Sequence, residues 1–461
     1  RQAPAVRPTS PASRRDTVKE GPLTVGLMTV GCKLNQYETE GVAERLEQQG
    51  FVVVPFDGPA DVYVVNTCTV TGRSDYRSRQ MLRRAARQDG DALVVATGCY
   101  AQREPDALAN MPEVDLVVGN SSKRELARLV GERLDGGLQR TLDTDVVVES
   151  LAGESFEAYD ITRFRGYTRA FVKIQDGCNH RCSYCAVPDA RGPSRSRRFA
   201  DVVRQASLLA DNGYREMVLT GVHIGAFEDP DGRRLPELLT ELARIEGLAR
   251  IRLGSVEPRE LTEELAQTIL GTAKVCNHLH IPLESGSNAV LERMRRGYTR
   301  DDYARAVRSV TDKDALCGLG TDIMVGFPGE TDEDFADSVS LIESLPFTYL
   351  HVFAFSPRSG TPAAEMDGQV PAAESKRRSR HLRELGARLS LEFRRGLTGK
   401  SLEILVEERA GEEGPLTGLA SNYVRVRTEG DTSLSNRLVS VTVEGADETD
   451  TWGSLEPGSE R

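Results

Sequence analysis

Ten short apolar runs, most followed by a stretch of helical periodicity, organise the chain from residue 24 to about 356. The first four are TVGLMTV (24–30), VYVVNT (62–67), LVVAT (93–97) and VDLVVG (114–119). Segments such as ETEGVAERLEQQG and RSRQMLRRAARQDG separate them, with apolar residues at helical spacing. Strands alternating with helices at this length predict a doubly wound parallel α/β sheet. The other six are RAFVKIQ (169–175), EMVLTG (216–221), RIRLGS (250–255), HLHIPL (278–283), GLGTDIMVG (318–326) and YLHVFAF (349–355). Six such strand–helix units predict a partial or full TIM-like βα barrel, whose chemistry belongs at the carboxyl ends of its strands. A basic helix over 374–396 leads out of it, and from 397 the pattern becomes SLEILVEE, NYVRVRT and RLVSVTVEG with Gly-rich turns. That pattern predicts a small all-β barrel.

Cysteine placement follows this rhythm. Cys32, Cys68 and Cys99 each fall within two residues of the carboxyl end of a predicted strand. In a parallel sheet those ends share one edge, where such folds bind ligands. Three buried cysteines of no special role are the alternative, since free Cys is a common core residue. A second set, Cys178, Cys182 and Cys185, is compact: C-x3-C-x2-C directly after the first barrel strand. Three thiolates on a four-iron cluster leave one iron free for a substrate or cofactor, as an open position does at catalytic zinc. A fourth ligand, with His180 as the rival inside the loop, would make a closed site instead.

Bulk properties limit the setting. A chain of 461 residues with 39% hydrophobic and 28% charged content is that of a globular protein of about three domains. No run of about 18 apolar residues is present, so no membrane span or membrane partner is expected. The start, RQAPAVRPTSPASRRDTVKE, is rich in Pro, Ser and Arg without an apolar core, and reads as a disordered leader over 1–21. Arg at position 1 implies that the numbering omits an initiator. Without a secretory signal, clustered cysteines point to metal or catalysis rather than disulfides, and the expected location is cytoplasmic. The net charge of −11 runs against a uniformly basic nucleic-acid binder but allows a basic face.

The C-x3-C-x2-C loop on the first barrel strand resembles the radical S-adenosylmethionine superfamily, and its neighbours resemble the methylthiotransferases within it. GCNHRCSYCAVPDARGPSRSR (177–197), HLHIPLESGS (278–287), TDIMVGFPGET (321–331) and HVFAFSPRSGTPA (351–363) are similar to signatures of that family. The three-cysteine amino-terminal region and the TRAM-like terminal β-domain belong to the same resemblance, which spans about residues 24–450. It implies an amino-terminal methylthiotransferase domain over 22–145, a radical domain over 160–396 and a TRAM-like RNA-binding domain over 397–452. VGCKLNQYETEGV (30–42), YTRAFVKIQDGCN and LTGVHIGAF resemble most closely the branch acting on N6-threonylcarbamoyladenosine at position 37 of tRNA. The alternatives are the branches acting on isopentenyladenosine or on a ribosomal-protein aspartate, and, outside enzymes, an iron–sulfur redox-sensing RNA-binding protein.

The resemblance implies two 4Fe-4S clusters and S-adenosylmethionine as cofactors. Cys178, Cys182 and Cys185 would hold the cluster that cleaves S-adenosylmethionine, giving a 5′-deoxyadenosyl radical that takes hydrogen from adenine C2. Cys32, Cys68 and Cys99 would hold an auxiliary cluster carrying the methylated sulfur. Tyr184, Gly221, Ser255, Glu257 and Gly326 fall where S-adenosylmethionine contacts are expected. Arg191, Arg195, Arg197 and Arg198 would ring the mouth towards the tRNA anticodon stem-loop, with a second basic stretch at Arg73, Arg77, Arg79, Arg83, Arg84 and Arg87. In the acidic terminal domain, Tyr423, Arg425 and Arg427 with Asn422 would form the RNA face, Tyr423 stacking on a base. A reductase or flavodoxin-type electron donor and a sulfur donor complete the expected partners. Glu284 stands where the family commonly has Gln, and Asp189 where it commonly has an aromatic residue. Cys276, Cys317, His278 and His280 receive no role, with packing expected for the two cysteines.

Overall fold

The computed structural model describes residues 21–135, 144–153, 155–409 and 414–458. The expected leader lies outside these residues apart from Gly21. The amino-terminal unit runs β1 (Thr24–Thr29), α1 (Lys33–Gln48), β2 (Val52–Val54), β3 (Val62–Thr67), α2 (Gly72–Gln88), β4 (Leu93–Gly98), α3 (Cys99–Arg103), α4 (Pro105–Ala109), β5 (Leu116–Val118), α5 (Leu126–Asp135) and β6 (Asp145–Val147). Its six strands are all parallel, in the order β2-β1-β3-β4-β5-β6. Strands β3 and β4 are buried along their whole length, as runs of β-branched residues between two helical layers must be. Residues of α1 and α5 fill one face and those of α2, α3 and α4 the other, so the sheet is doubly wound. The order reverses between β1 and β3, which puts the ligand crevice at their carboxyl ends.

The central unit begins with β7 (Ala170–Lys173), β8 (Gln175–Asp176), α6 (Val187–Arg191) and β9 (Arg195–Ser196), the short β8–β9 ribbon spanning the cysteine loop. It continues with α7 (Phe199–Asp211), β10 (Glu216–Thr220), α8 (Leu235–Leu242), β11 (Arg250–Leu253), α9 (Glu263–Gly271) and β12 (His278–His280). The last part comprises α10 (Asn288–Met294), α11 (Arg300–Thr311), β13 (Gly318–Val325), α12 (Asp332–Glu343), β14 (Tyr349–Ala354) and α13 (Ala372–Arg395). Ladders join β7-β10-β11 and β12-β13-β14, and the single bridges Ile251–Val275 and Ser255–His280 link the two sets. The result is a six-stranded partial barrel. Among the described residues no ladder closes β14 onto β7. Helix α1 packs against the open edge at β7, and its Tyr37 belongs to the barrel core. Being covered on both sides, α1 buries Asn35, Glu38, Thr39, Glu40 and Glu44 as well as its apolar residues.

Strands β15 (Ser401–Arg409), β16 (Leu416–Ala420), β17 (Arg425–Thr428), β18 (Leu438–Ala446) and β19 (Thr451–Leu455) close into a five-stranded barrel. This barrel seats under the amino ends of the central strands. Arg250 donates to the Leu419 carbonyl (2.9 Å), and Arg252 to those of Ser421 (2.8 Å) and Ala420 (3.1 Å). Strands β2, β6, β9, β16 and β19 are absent from the sequence reading. The first sheet therefore extends through Val147 and the last barrel through Leu455.

Gly98 joins β4 to Cys99 at φ +99° and ψ −164°, a region open essentially to glycine alone. An added Cβ would come within 2.4 Å of both Asn66 Oδ1 and the Thr67 carbonyl. Gly98→Ala is therefore expected to lower stability by about 3 kcal/mol or more, read as a fall in the urea midpoint with unchanged m-value.

Candidate functional site

At the β1–β3 crevice, backbone carbonyls and short polar side chains position three thiols. Asn35 donates to the carbonyls of Val30 (2.8 Å) and Thr67 (3.0 Å), tying together the strand ends that precede Cys32 and Cys68. Thr67 Oγ1 donates to the Thr97 carbonyl (2.5 Å) and so draws in the end that precedes Cys99. Gly31, at φ +110°, lets the backbone pass Cys68: a Cβ there would lie 2.9 Å from the Cys68 sulfur. The thiols feel one another's charge. Burial pushes Cys68 up to about 11 and raises Cys32, against which Arg191 works. Such a pocket holds thiols protonated until a cation replaces the proton, which suits a metal cluster.

The compact triad lies beyond β8. The Cys178 N–H donates to the Gly192 carbonyl (3.1 Å) and the Val187 N–H faces the Cys185 sulfur (3.5 Å). Burial raises Cys182 and pushes Cys185 up to about 12, and Cys185 feels both other thiols. Arg296 is the cation here: Nη1 donates to the Cys182 sulfur (3.3 Å), Nε to the Tyr298 hydroxyl (3.0 Å), and Nη2 pairs with Glu257. His180 turns towards His223, with ring centroids 4.5 Å apart, and ligand atoms of Cys178, His180 and His223 lie within 4.8 Å of one another. His223 in turn pairs with Glu260.

Between the triads lies a buried charge cluster. Arg191 donates to Glu38 (2.8 and 3.2 Å), Asp176 (3.1 Å) and Asn35 (2.8 Å). Lys123 pairs with Glu38 (2.6 Å), and Lys173 with Glu38 (2.9 Å) and Asp176 (2.7 Å). Burial disfavours both carboxylates, yet the cations hold Glu38 well below the ordinary range and Asp176 at about 2. Two of the expected RNA ligands are corrected here. Arg191 is 3% exposed and Arg197 1%, with Arg197 donating to the Tyr37 hydroxyl (3.2 Å), so neither presents a surface for phosphate. Both face inward because the loop after the triad docks against α1. Arg195 bonds the Arg191 carbonyl (2.7 Å) and Asp176 (3.3 Å), which leaves Arg198 as the exposed member. On α2, Arg73, Arg77, Arg83, Arg84 and Arg87 are exposed, and Arg79 donates to the Tyr100 hydroxyl (2.7 Å).

Other expected residues sort by environment. Tyr184 packs edge-on to Phe327 at 6.4 Å and acts on the carboxyl of the half-buried Glu284. Gly221 abuts Gln175, whose carbonyl would lie 2.9 Å from a Cβ, and Gly326 at φ +73° makes room for Ser375. Ser255 is exposed, and Glu257 is tied to Arg296. Asp189 stands 4.0 Å from Arg103. Cys276 and Cys317 are buried in packing, as expected. Tyr423 requires correction as a base-stacking residue. Its ring lies on His278 (centroids 4.3 Å, 23°) and under the Arg252 guanidinium (5.3 Å). At φ +70° the turn points it into the barrel floor. Arg425 pairs with Glu407 (2.9 Å) and Arg427 with Asp450 (2.6 Å), and Asn422 is buried.

The barrel floor itself is legible only in three dimensions. Glu216 is fully buried among Arg252 (2.7 Å), Arg250 (3.6 Å) and Arg169 (3.8 Å). Burial, together with the charges of Arg169 and Arg252, lowers Lys33 to about 8. One layer higher, Asp322 accepts from His280 (3.1 Å) and His351 (3.2 Å). Sequence reading missed Glu38, Lys123, Lys173, Asp176, Arg296 and this floor. The available signal was a charged residue inside an otherwise apolar strand, such as Lys173 in AFVK or Arg252 in RIRL.

Two stability tests follow from these charges. Glu38→Ala leaves Lys123, Lys173 and Arg191 buried without their shared carboxylate, and a loss of about 3–5 kcal/mol is expected in urea unfolding. Burial, with Asp322 and Glu257 adding to it, lifts Glu284 from the ordinary 4.5 to about 7. A raised carboxyl value means that the protonated form favours the fold. This contribution is complete below 4.5 and is lost as pH rises through 7. Glu284→Gln is expected to flatten the stability profile across that window and to exceed the parent above it by about 3 kcal/mol, measured by urea unfolding at a series of pH values.

Comparison with known proteins places this geometry. A model of the radical SAM superfamily matches residues 172–342, and one described as uncharacterized protein family UPF0004 matches 24–119. A threonylcarbamoyladenosine tRNA methylthiotransferase MtaB of Bacillus subtilis is 40% identical over 91% of this chain and 93% of its own. That of Aquifex aeolicus is 40% identical over 88% and 97%. A tRNA-2-methylthio-N(6)-dimethylallyladenosine synthase of Carboxydothermus hydrogenoformans is 35% identical over 90% and 96%. Among solved structures, the radical S-adenosylmethionine methyltransferase TsrM of Kitasatospora setae shares the fold, with a TM-score of 0.56 at 20% identity over 74% of this chain and 77% of that one. The chain belongs to the MtaB-like family of radical S-adenosylmethionine methylthiotransferases.

Proposed function

We propose that the protein adds a methylthio group to C2 of N6-threonylcarbamoyladenosine at position 37 of tRNA. The observation that carries the reading is the full-length match, at 40% identity, to enzymes named for that nucleoside. Two thiol triads, each beside a guanidinium, support it. Cys178, Cys182 and Cys185 would hold one four-iron cluster and Cys32, Cys68 and Cys99 a second. Bound there with S-adenosylmethionine, these groups supply the radical and sulfur chemistry.

The chain's own residues bind, orient and exclude water. Arg296 and Arg191 oppose the negative charge of the two thiolate sets. Tyr184, Phe327 and Met294 form an apolar wall beside the compact triad. Tyr184, Gly221, Ser255, Glu257 and Gly326 are the residues assigned to S-adenosylmethionine, on the family motifs that contain them. For the anticodon stem-loop the exposed set is Arg198 with Arg73, Arg77, Arg83, Arg84 and Arg87, of which Arg83 and Arg84 also pair with Glu113 and Asp57, beside the exposed Val70 and Tyr76. Arg425 and Arg427 would act at the rim of the terminal barrel. We assign 22–145, 160–396 and 397–452 to auxiliary-cluster, radical and TRAM-like RNA-binding roles. A reductase or flavodoxin-type donor, a sulfur donor and a cytoplasmic setting complete the proposal.

Nucleoside mass spectrometry of tRNA from cells with and without the gene tests the substrate. Loss of 2-methylthio-N6-threonylcarbamoyladenosine is expected in the deletion. Loss of the isopentenyl counterpart instead would favour the second reading, which the dimethylallyladenosine synthases at 35% identity support. With reconstituted protein carrying about eight irons, Cys182→Ala is expected to abolish 5′-deoxyadenosine formation. Cys68→Ala should retain that formation, lose about half the iron and yield no methylthio product.

A further inference from the structure

Three neighbouring strands put two imidazoles and a carboxylate on the inner face of the central barrel. His280 ends β12, Asp322 lies on β13 and His351 on β14, and the register pairs Asp322 with His351 and Gly320 with both His280 and Tyr349. The residues of β13 that alternate with this face, Leu319, Ile323 and Val325, belong to the same apolar core as Leu341 and Ile342 of α12 and Leu382 of α13. His280 Nε2 stands 3.1 Å from Asp322 Oδ2, and His351 Nδ1 stands 3.2 Å from Asp322 Oδ1. One ligand atom from each of the three residues lies within 4.8 Å of the other two. Burial disfavours the Asp322 carboxylate, yet the two imidazoles hold it below the ordinary range. His280 is buried, Asp322 half-buried and His351 exposed, so the set is fixed on one side and open on the other.

The surroundings are those of a ligand set. Gly320 leaves room for the Tyr349 ring, into which a Cβ at that position would run. Across that gap the Tyr349 hydroxyl reaches His280 Nδ1 (3.1 Å) and His278 Nε2 (2.8 Å). A metal-bound imidazole donates its second N–H to such an outer partner, which fixes the ring. Bonds of about 2.0–2.1 Å at a tetrahedral angle set neighbouring donor atoms about 3.3 Å apart, close to both separations at Asp322. The exposed His351 ring has room to close the remaining gap. We infer that His280, Asp322 and His351 form a site for one first-row divalent cation, with its vacant positions turned into the barrel. Two imidazoles and one carboxylate are a donor set shared by non-haem iron(II) and catalytic zinc. The inference does not depend on the substrate reading, and the site uses neither cysteine triad.

The test uses the full-length protein with both clusters reconstituted, so that the six cluster thiols are occupied, and zinc as the probe. After equilibrium dialysis against dilute zinc, the parent should hold one zinc per chain with its iron content unchanged. X-ray absorption at the zinc edge should show a shell of nitrogen and oxygen alone at about 2.0–2.2 Å. His351→Ala and Asp322→Asn should each lose the zinc, and Tyr349→Phe should weaken its binding about 10- to 100-fold. A parent that takes no zinc would overturn the inference, leaving hydrogen bonds alone at this carboxylate. Sulfur in the zinc shell would do the same, since it would place the metal on a cysteine, as in the group Cys178, His180 and His223. Zinc retained in full by His351→Ala would also overturn it. If Asp322→Asn fails to fold, His351→Ala decides alone, because that side chain is exposed.

Discussion

The contact between Arg191 and Glu38 joins the two halves of the site. Arg191 comes from the helix that closes the compact cysteine loop, and Glu38 from the helix that begins beside Cys32. Their bonds, with Lys123 and Lys173, gather four separate segments around one buried carboxylate. Buried ion clusters are weak sources of net stability, because desolvation offsets most of the attraction. They specify geometry instead: rotating one unit against the other would strand several charges in a dry interface. Two cofactor sites that must act on one atom need that kind of registration.

The same cluster sets the local potential. Lys123, Lys173 and Arg191 face Glu38 and Asp176, which leaves a positive surplus directed at Cys32 and Cys99. At the other triad Arg296 has the corresponding place, drawn to Cys182 and restrained by Glu257 and Tyr298. In each place burial raises one thiol, Cys32 or Cys182, and a guanidinium opposes it. A protein on a body of net charge −11 therefore keeps its positive charge where thiolates have to form.

Much of this was legible in the sequence. Period and run length disclosed the parallel sheet, the barrel strands and the terminal β-barrel, because buried parallel strands are continuous apolar runs. The short strands β2 and β6 escaped since three residues carry too little pattern. Cysteine positions at strand ends disclosed both triads. The arginines misled: a run of basic residues near a mouth reads as a phosphate surface, yet Arg191 and Arg197 turn inward to partners more than a hundred positions away. Tyr423 misled for a similar reason, since a turn at positive φ, not its side-chain type, aims it at His278.

By itself the sequence determined the order of elements and the residues able to bind iron, because those depend on local period and on the chemistry of single side chains. Tertiary structure alone decided which charges meet. Glu38 with Arg191, and Arg252 with Glu216 and Ala420, are outcomes of how three units pack. Burial changes the electrostatic weight of a charge several-fold, and burial is a property of the assembled fold rather than of any segment of its chain.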